Sequence, residues 1–153
     1  MTVALKGNVI LFTRREIEKA WRENLSASSS KTPRTNPHRL LLFYAVECGL
    51  KAILMRRRQR DCTDASIAEF GHDINRLIDT LGVKGSLRLP AHIRLKDIKI
   101  QGSPQQRNLT PDQINQLWRY GHSFEKNAQI QDKDLESMLF QIAEWIKGEL
   151  RNT

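Results

Sequence analysis

The side chains best suited to chemistry in this sequence lie together, in the run WRYGH at residues 118–122. Arg119 is permanently charged, Tyr120 offers a stacking face and a hydroxyl, and His122 titrates near neutral pH. These side-chain types suit contact with a phosphate or nucleotide, or general acid–base chemistry on RNA without a metal. In the structural alternative, Trp118 packs in the core, Arg119 pairs with a carboxylate and His122 caps a helix. Both interpretations stay open on the sequence alone.

A second polar group, Glu47, interrupts an apolar stretch at helical spacing from Phe43. An ionised group removed from water without a partner is strongly destabilising, so we expect Glu47 to be paired or protonated. Lys51 lies one turn later and could form an exposed intrahelical pair with it. Alternatively, Glu47 makes a buried link to another helix, with His72 or Arg119 as its partner.

The chain is strongly basic, with 25 Lys and Arg against 17 Asp and Glu and a formal net charge of +8. Much of the excess lies in one arginine cluster, formed by Arg56, Arg57, Arg58 and Arg60. A basic balance favours a polyanionic partner but says nothing about the fold. The cluster is therefore either a phosphate-binding site or a solvated helix end whose charge complements the helix dipole.

Metal and cofactor chemistry finds no support in the sequence. The four histidines fall on separate segments, and Cys48 and Cys62 have no ligand or disulfide spacing. Glycines are scattered, without a phosphate-binding loop. We expect no metal and no cofactor. Neither a signal peptide nor a membrane-spanning run is present, so we expect a soluble cytoplasmic protein.

Start signals locate the first two helices that must position these side chains. Thr13 and Glu16 form a capping box that opens the first helix. Asn36 is the predicted N-cap of the second, with Pro37 at its first position. We predict that this second helix spans residues 36–60, is buried on most sides and forms the centre of the fold.

Three further helices follow along the chain. Residues 71–82 predict a short helix with Gly82 as a left-handed C-cap. A fourth helix begins with the start signals at Thr110 and is kinked or ended by Gly121. Residues 132–151 carry one continuous apolar stripe and predict an amphipathic helix.

The remaining segments predict loops and one extended insertion. Residues 25–35 are serine-rich and predict a flexible loop, and residues 61–70 predict a turn. Alternating apolar and basic residues from 87 to 100 predict an extended segment that could pair with residues 9–12, while 102–109 predict a polar loop. The fold class predicted is all-α, an up-and-down bundle of four to five helices with a possible short extended or β-ribbon insertion near residues 87–100. Residues 1–153 form one domain, with 1–12 as an N-terminal extension.

Three motifs in order resemble the HEPN family of nucleotide-binding helical domains: YAVECGLKAIL at 44–54, GHDINRLIDTL at 71–81 and LWRYG at 117–121. The resemblance implies a four- or five-helix bundle, often dimeric and often found beside a minimal nucleotidyltransferase or in toxin–antitoxin and antiviral defence systems. It identifies Glu47 and Lys51 as the polar pair of the central helix, His72 as the GHDL-like histidine, and Arg119 with Tyr120 as the RYP-like motif.

Catalytic members of that family are metal-independent ribonucleases with an R-x4-6-H motif, and here His122 follows Arg119 too closely for that spacing. We therefore predict a HEPN-like, non-catalytic binding or assembly module that is a homodimer and binds RNA, a nucleotide or a nucleotidyltransferase-type protein. The alternative is a metal-independent ribonuclease toxin that uses Arg119 and His122. The predicted binding residues are Glu47, Lys51, His72, Tyr120, Arg56, Arg57 and Arg58.

Overall fold

The computed structural model describes residues 10–29, 33–83 and 85–151. In these residues the chain forms six α-helices and one two-stranded antiparallel sheet. The helices α1 to α6 are Arg14–Ser28, Asn36–Arg57, Ala65–Ala68, Ile74–Thr80, Ile114–Arg119 and Asp132–Arg151, and the strands β1 and β2 are Ile93–Ile100 and Ser103–Leu109. Helices make up 56% of the structure, so the fold is mixed α/β, though mostly helical, and the predicted all-α class is wrong.

Helix α2 lies at the centre, as predicted, because its side chains are apolar around most of its circumference. Its start differs by one residue from the prediction: Thr35 is the N-cap, and its N–H donates to Nδ1 of His38 at 3.1 Å. The side chain of Asn36 is engaged elsewhere. The helix ends at Arg57 rather than Arg60, and Gln59 adopts a left-handed φ of 55° that turns the chain away.

Helix α1 begins at the predicted capping box, in which Thr13 and Glu16 each accept from the other's backbone N–H. It continues to Ser28, so the predicted loop over residues 25–35 is wrong for its first four residues, while residues 30–32 lie outside the described part. Trp21 buries its ring toward the core. The helix therefore covers one side of α2.

The other helices surround α2 as the apolar patterns predict. Helix α6 spans Asp132–Arg151, which confirms the predicted bounds, and Gly82 has the left-handed φ of 68° expected of a C-cap. Helix α5 is shorter than predicted because its first turn, Pro111–Gln113, is a 3-10 helix. It ends just before Gly121, whose φ is 74°. Residues 61–70, predicted as a turn, contain the short helix α3.

The sheet is a ribbon formed by β1 and β2, so residues 102–109 are not the predicted loop. The predicted pairing with residues 9–12 is wrong for residues 10–12, which are not in the sheet. The chain there forms a bridge between Thr13 and Cys62 instead, and Thr63 N–H donates to the Phe12 carbonyl at 2.8 Å. Val9 lies outside the described residues. Ile93 and Leu95 bury one end of the ribbon against the helices, while its other end is exposed.

Within the described ranges, the helices include none that is long and apolar enough to span a membrane.

Candidate functional site

Glu47 is buried in α2, with 8% of its surface exposed, and is fully paired. Its Oε2 accepts from Lys51 Nζ at 3.0 Å, and its Oε1 lies 2.6 Å from Nδ1 of His72. Lys51 also donates to the backbone carbonyl of Gly71 at 2.9 Å. The prediction of a paired Glu47 is confirmed, and both Lys51 and His72 supply that pairing. We call these three side chains the Glu47 node.

The node connects helices and lies beside a depression whose charge disfavours phosphate. The ring of His72 lies against Tyr44, with 5.8 Å between centroids. The shallow depression beside it is lined by more carboxylates than cations, including Asp73 and Asp112. Those carboxylates would repel a phosphate. The node therefore ties α2 to the segment before α4.

The thiol of Cys48, next to the node, is not a nucleophile at neutral pH. Burial, and then the charge of Glu47, raises its pKa to about 11. A thiol with such a pKa stays protonated, and only the thiolate reacts. Cysteine chemistry at this site is therefore not supported by the geometry.

The arginine cluster does not form one surface, because its members point to different elements. Arg56 contacts Glu18 at 3.7 Å, and Arg57 donates to the Leu81 carbonyl at 2.7 Å. Arg57 also pairs with Glu149 at 3.3 Å, and Arg58 donates to the Ser66 hydroxyl at 3.4 Å. These three arginines therefore join α2 to α1, α3, α6 and the end of α4.

Arg119 and Tyr120 lie on the surface at the end of α5. Tyr120 is 70% exposed, and the guanidinium of Arg119 sits over its ring at 5.5 Å from the centroid. Arg119 makes no ion pair with Glu47 in the described part of the chain. The structure therefore leaves this pair free to contact a ligand, while Trp118 packs in the core.

His122 is held mainly by its backbone. Its N–H donates to the Leu117 carbonyl at 2.8 Å, and its ring meets Phe124 edge-on at 4.8 Å. Nδ1 of the ring has no hydrogen-bond partner among the described residues. Burial, and then the nearby charge of Arg107, lowers the pKa of His122, while Asp132 acts in the opposite direction. His122 is therefore a neutral imidazole at pH 7.

A cleft of about 1030 Å³ separates the buried end of the ribbon from residues 122–130. His122 and Phe124 line one wall together with the carboxylates of Glu125 and Asp134. The basic side chains of the ribbon line the other: Arg94, Lys96 and Arg107. Lys96 reaches across to Glu125 at 3.0 Å. The sequence identified the basic character of 87–100, but Arg107 was missed because its strand has no apolar alternation. We call this space the ribbon cleft.

A largely buried ion-pair network supports the segment that carries His122, and no local sequence pattern indicated it. Glu136 accepts from Arg34 Nε at 2.8 Å and from Arg39 Nε at 2.6 Å. Arg39 donates to Asn36 Oδ1 at 2.7 Å, and Asn36 Nδ2 donates to the His122 carbonyl at 3.2 Å. The partners are too far apart in sequence for a pattern to reveal them. They fix the position of the cleft wall relative to α2 and α6.

Among the described residues, no group of three or more His, Cys, Asp or Glu side chains could hold a metal ion. No family model, curated protein or solved structure matches the chain. The site combines an exposed aromatic ring, a neutral imidazole and a cationic wall.

Proposed function

We propose that this protein is a non-catalytic module that binds single-stranded RNA across the ribbon cleft and the neighbouring Arg119–Tyr120 pair. One observation carries the proposal: the exposed ring of Tyr120, stacked with a guanidinium, lies two residues along the chain from an imidazole that lines a cationic cleft. Bases would stack on the ring, and phosphates would contact the cations.

The charge of the ribbon supports a polyanionic ligand. Four cations occur in residues 93–109 against one carboxylate, Asp97, and the whole chain has a net charge of +8. Cations of this kind replace counterions along a phosphate backbone, and the counterion release drives binding. The arginine cluster of α2 is not needed for this contact, because its charges are engaged within the protein.

The aromatic groups favour a single strand over a duplex. Protein aromatic rings stack on bases only where those bases are unstacked, in loops and single strands. Tyr120 presents a whole face to solvent, and Phe124 lines the cleft next to His122. The hydroxyl of Tyr120 adds a donor for a base edge or a 2′-hydroxyl.

The HEPN resemblance extends the proposal to an assembly role. Under it, the chain is a HEPN-like homodimer of a bacterial toxin–antitoxin or defence system, with a nucleotidyltransferase-type protein as a possible partner. The contact between Glu47 and His72 supports the resemblance, because it joins two segments that carry separate motifs of that family.

A second candidate, a metal-independent ribonuclease, is favoured by one feature of His122. Its imidazole is neutral and its Nδ1 has no partner among the described residues, as a general base requires. Arg119, the predicted phosphate stabiliser, is absent from the cleft lining formed by those residues, whereas Arg107 is part of it. RNA cleavage would then depend on His122 and Arg107 more than on Arg119.

The experiment is fluorescence anisotropy of a labelled single-stranded RNA of about 12 nucleotides, a length that covers typical single-strand sites, over a salt series. We expect affinity to fall steeply with salt, and Tyr120→Ala to weaken binding by about 1–3 kcal/mol. Arg107→Gln should reduce both the affinity and the salt dependence. Arg22→Ala, on the exposed face of α1, is the control and should change neither beyond the small effect of one remote charge.

The same samples also distinguish the two candidates. Intact RNA after incubation with chelator favours the binding module, whereas cleavage that His122→Ala abolishes favours the ribonuclease. Salt-independent binding, or unchanged affinity in both Tyr120→Ala and Arg107→Gln, would contradict an RNA site in the ribbon cleft.

A further inference from the structure

The ribbon contains a β-bulge that changes which face its apolar residues occupy. Leu95 pairs with Arg107, but the next pair is Ile98 with Gln105, so β1 advances three residues while β2 advances two. Paired residues share a face, and residues two apart along a strand share a face. Without the bulge, Ile98 would lie on the opposite face of the ribbon from Leu95. With it, the apolar residues of β1 form one stripe on one face: Ile93, Leu95, Ile98 and Ile100.

The residues that the structure describes cover only half of this stripe. Ile93 and Leu95 are buried, at 3% and 8% exposure, whereas Ile98 and Ile100 are 41% and 53% exposed. The strand continues about 17 Å past Leu95 at the usual rise per residue. Every residue from 96 to 106 is exposed, so the distal half of the ribbon extends away from the helices.

The exposed half of the stripe continues directly from the ribbon cleft. Arg107 lines the cleft and lies on the stripe's face, since it pairs with Leu95. Gln105 lies two residues further on the same face, opposite Ile98, and its side chain is exposed. We call Ile98, Ile100 and Gln105 the arm face. An extended ligand that leaves the cleft beside Arg107 would run along the arm face.

We propose that the arm face binds the bases of RNA nucleotides adjacent to those held in the ribbon cleft, an inference that rests on the proposed function. Ile98 and Ile100 supply apolar surface for unstacked bases, and the amide of Gln105 can both donate to and accept from a base edge. The arm face is thus a second subsite that reads bases, whereas the cleft holds phosphates.

Charge decides between RNA and a second copy of the chain as the occupant. The ribbon carries four cations against the single carboxylate Asp97, and Arg94 already contacts Asp97 at 3.6 Å. Arg107 lies on the stripe's face, whereas Lys99 lies on the opposite face of the same ribbon. The ribbon of a second copy of the chain would bring the same positive charge to the contact, and like charges oppose association. A phosphate backbone would be attracted by it. The apolar stripe and the net positive charge of the ribbon therefore fit one single-stranded RNA.

The test compares RNAs of about 4 and about 10 nucleotides, because only the longer one reaches the arm face from the cleft. The double variant Ile98→Ser/Ile100→Ser should weaken binding of the longer RNA about tenfold, because it removes the apolar surface that the bases would cover, and should leave binding of the shorter RNA unchanged. Gln105→Ala, which keeps the apolar pair, should weaken binding of the longer RNA by a smaller factor and reduce the differences in affinity between RNAs of different base sequence. Gln106→Ala, on the opposite face, is the matched control and should change neither affinity.

Three results would overturn the inference in distinguishable ways. If wild type binds both RNAs and the arm variants bind them equally well, the arm subsite fails while the cleft proposal stands. If wild type binds neither RNA at low salt, both proposals fail. If the double variant keeps its RNA affinity but has a smaller assembled mass by sedimentation, a second copy covers the arm face. Circular dichroism of each variant identifies any loss of folding.

Discussion

Glu47 on α2 accepts a hydrogen bond of 2.6 Å from the Nδ1–H of His72, a residue 25 positions further along the chain. Lys51 balances the buried charge from the same helix. The arrangement follows from the cost of removing a carboxylate from water, which one exposed intrahelical partner would not offset. The imidazole meets that need from a different segment, so the contact fixes the start of α4 against the central helix.

Glu47→Gln should lower the free energy of unfolding by about 3 kcal/mol, because the neutral amide leaves Lys51 without its counter-charge in a largely buried site. Urea unfolding of the variant and wild type measures the change. The control is Glu144→Gln, which removes the exposed pair that Glu144 forms with Lys147 at 2.9 Å. That change should stay within about 0.5 kcal/mol. Equal effects of the two substitutions would show that the node is no more important than a surface pair.

Substitution by alanine should change stability in opposite directions at two glycines. A Cβ at Gly49 would lie 2.8 Å from Cγ2 of Ile146 and 2.9 Å from Cε3 of Trp21, where α1, α2 and α6 meet. Gly49→Ala should therefore destabilise the protein by about 1–3 kcal/mol. Gly148→Ala, in α6, meets nothing within 4 Å and should stabilise it by about 0.5–1 kcal/mol. Thermal unfolding of both variants tests the pair, and a stable Gly49→Ala would contradict the close packing.

Arg57→Ala separates stability from binding. Its guanidinium joins α2 to the Leu81 carbonyl and to Glu149, so its loss should cost about 1 kcal/mol of stability. RNA affinity should stay unchanged, because the side chain is engaged away from the ribbon cleft. Anisotropy and urea unfolding on the same preparation measure both quantities, with Arg107→Gln as the converse variant. A selective loss of RNA affinity in Arg57→Ala would restore the arginine cluster as the phosphate site.

Local sequence patterns predicted the helices well because their signals lie within a few residues of one another. The capping box of Thr13 and Glu16 and the stripe of α6 are examples, and both elements begin where they were predicted. The need of Glu47 for a partner also follows from a local pattern, since a carboxylate within an apolar stripe has few alternatives. The identity of the partner required the structure.

Features that depend on distant residues were missed. Strand β2 is polar, without alternation, and exists because β1 supplies its hydrogen bonds. The ion pair of Arg34 and Glu136 spans 102 positions, so no sequence window contains both. The separate directions of Arg56 and Arg57 depend on where α1, α4 and α6 lie.

Stability should fall as the pH drops below 6.5, in part because of His122. The folded protein lowers its pKa from the model-compound value of 6.5, so the unfolded chain binds more protons in that range. His122→Gln should reduce this slope of the unfolding free energy between pH 6.5 and the lower pKa of the folded state. Urea unfolding across the range measures the difference. An unchanged slope would mean that the imidazole ionises equally in both states.

RNA binding should depend on pH in the opposite direction. In the protein without RNA, His122 is neutral at pH 7 because burial and the charge of Arg107 lower its pKa. A phosphate in the ribbon cleft would favour the charged imidazole, so binding takes up a proton and affinity rises as the pH falls from 7, by at most about tenfold per unit. Anisotropy between pH 7 and about 6, where the unshifted group would titrate, gives the slope. His122→Gln should remove it, and His92→Gln, at the exposed rim, measures the contribution of the other cleft histidine. A flat profile in wild type would mean that no phosphate reaches His122.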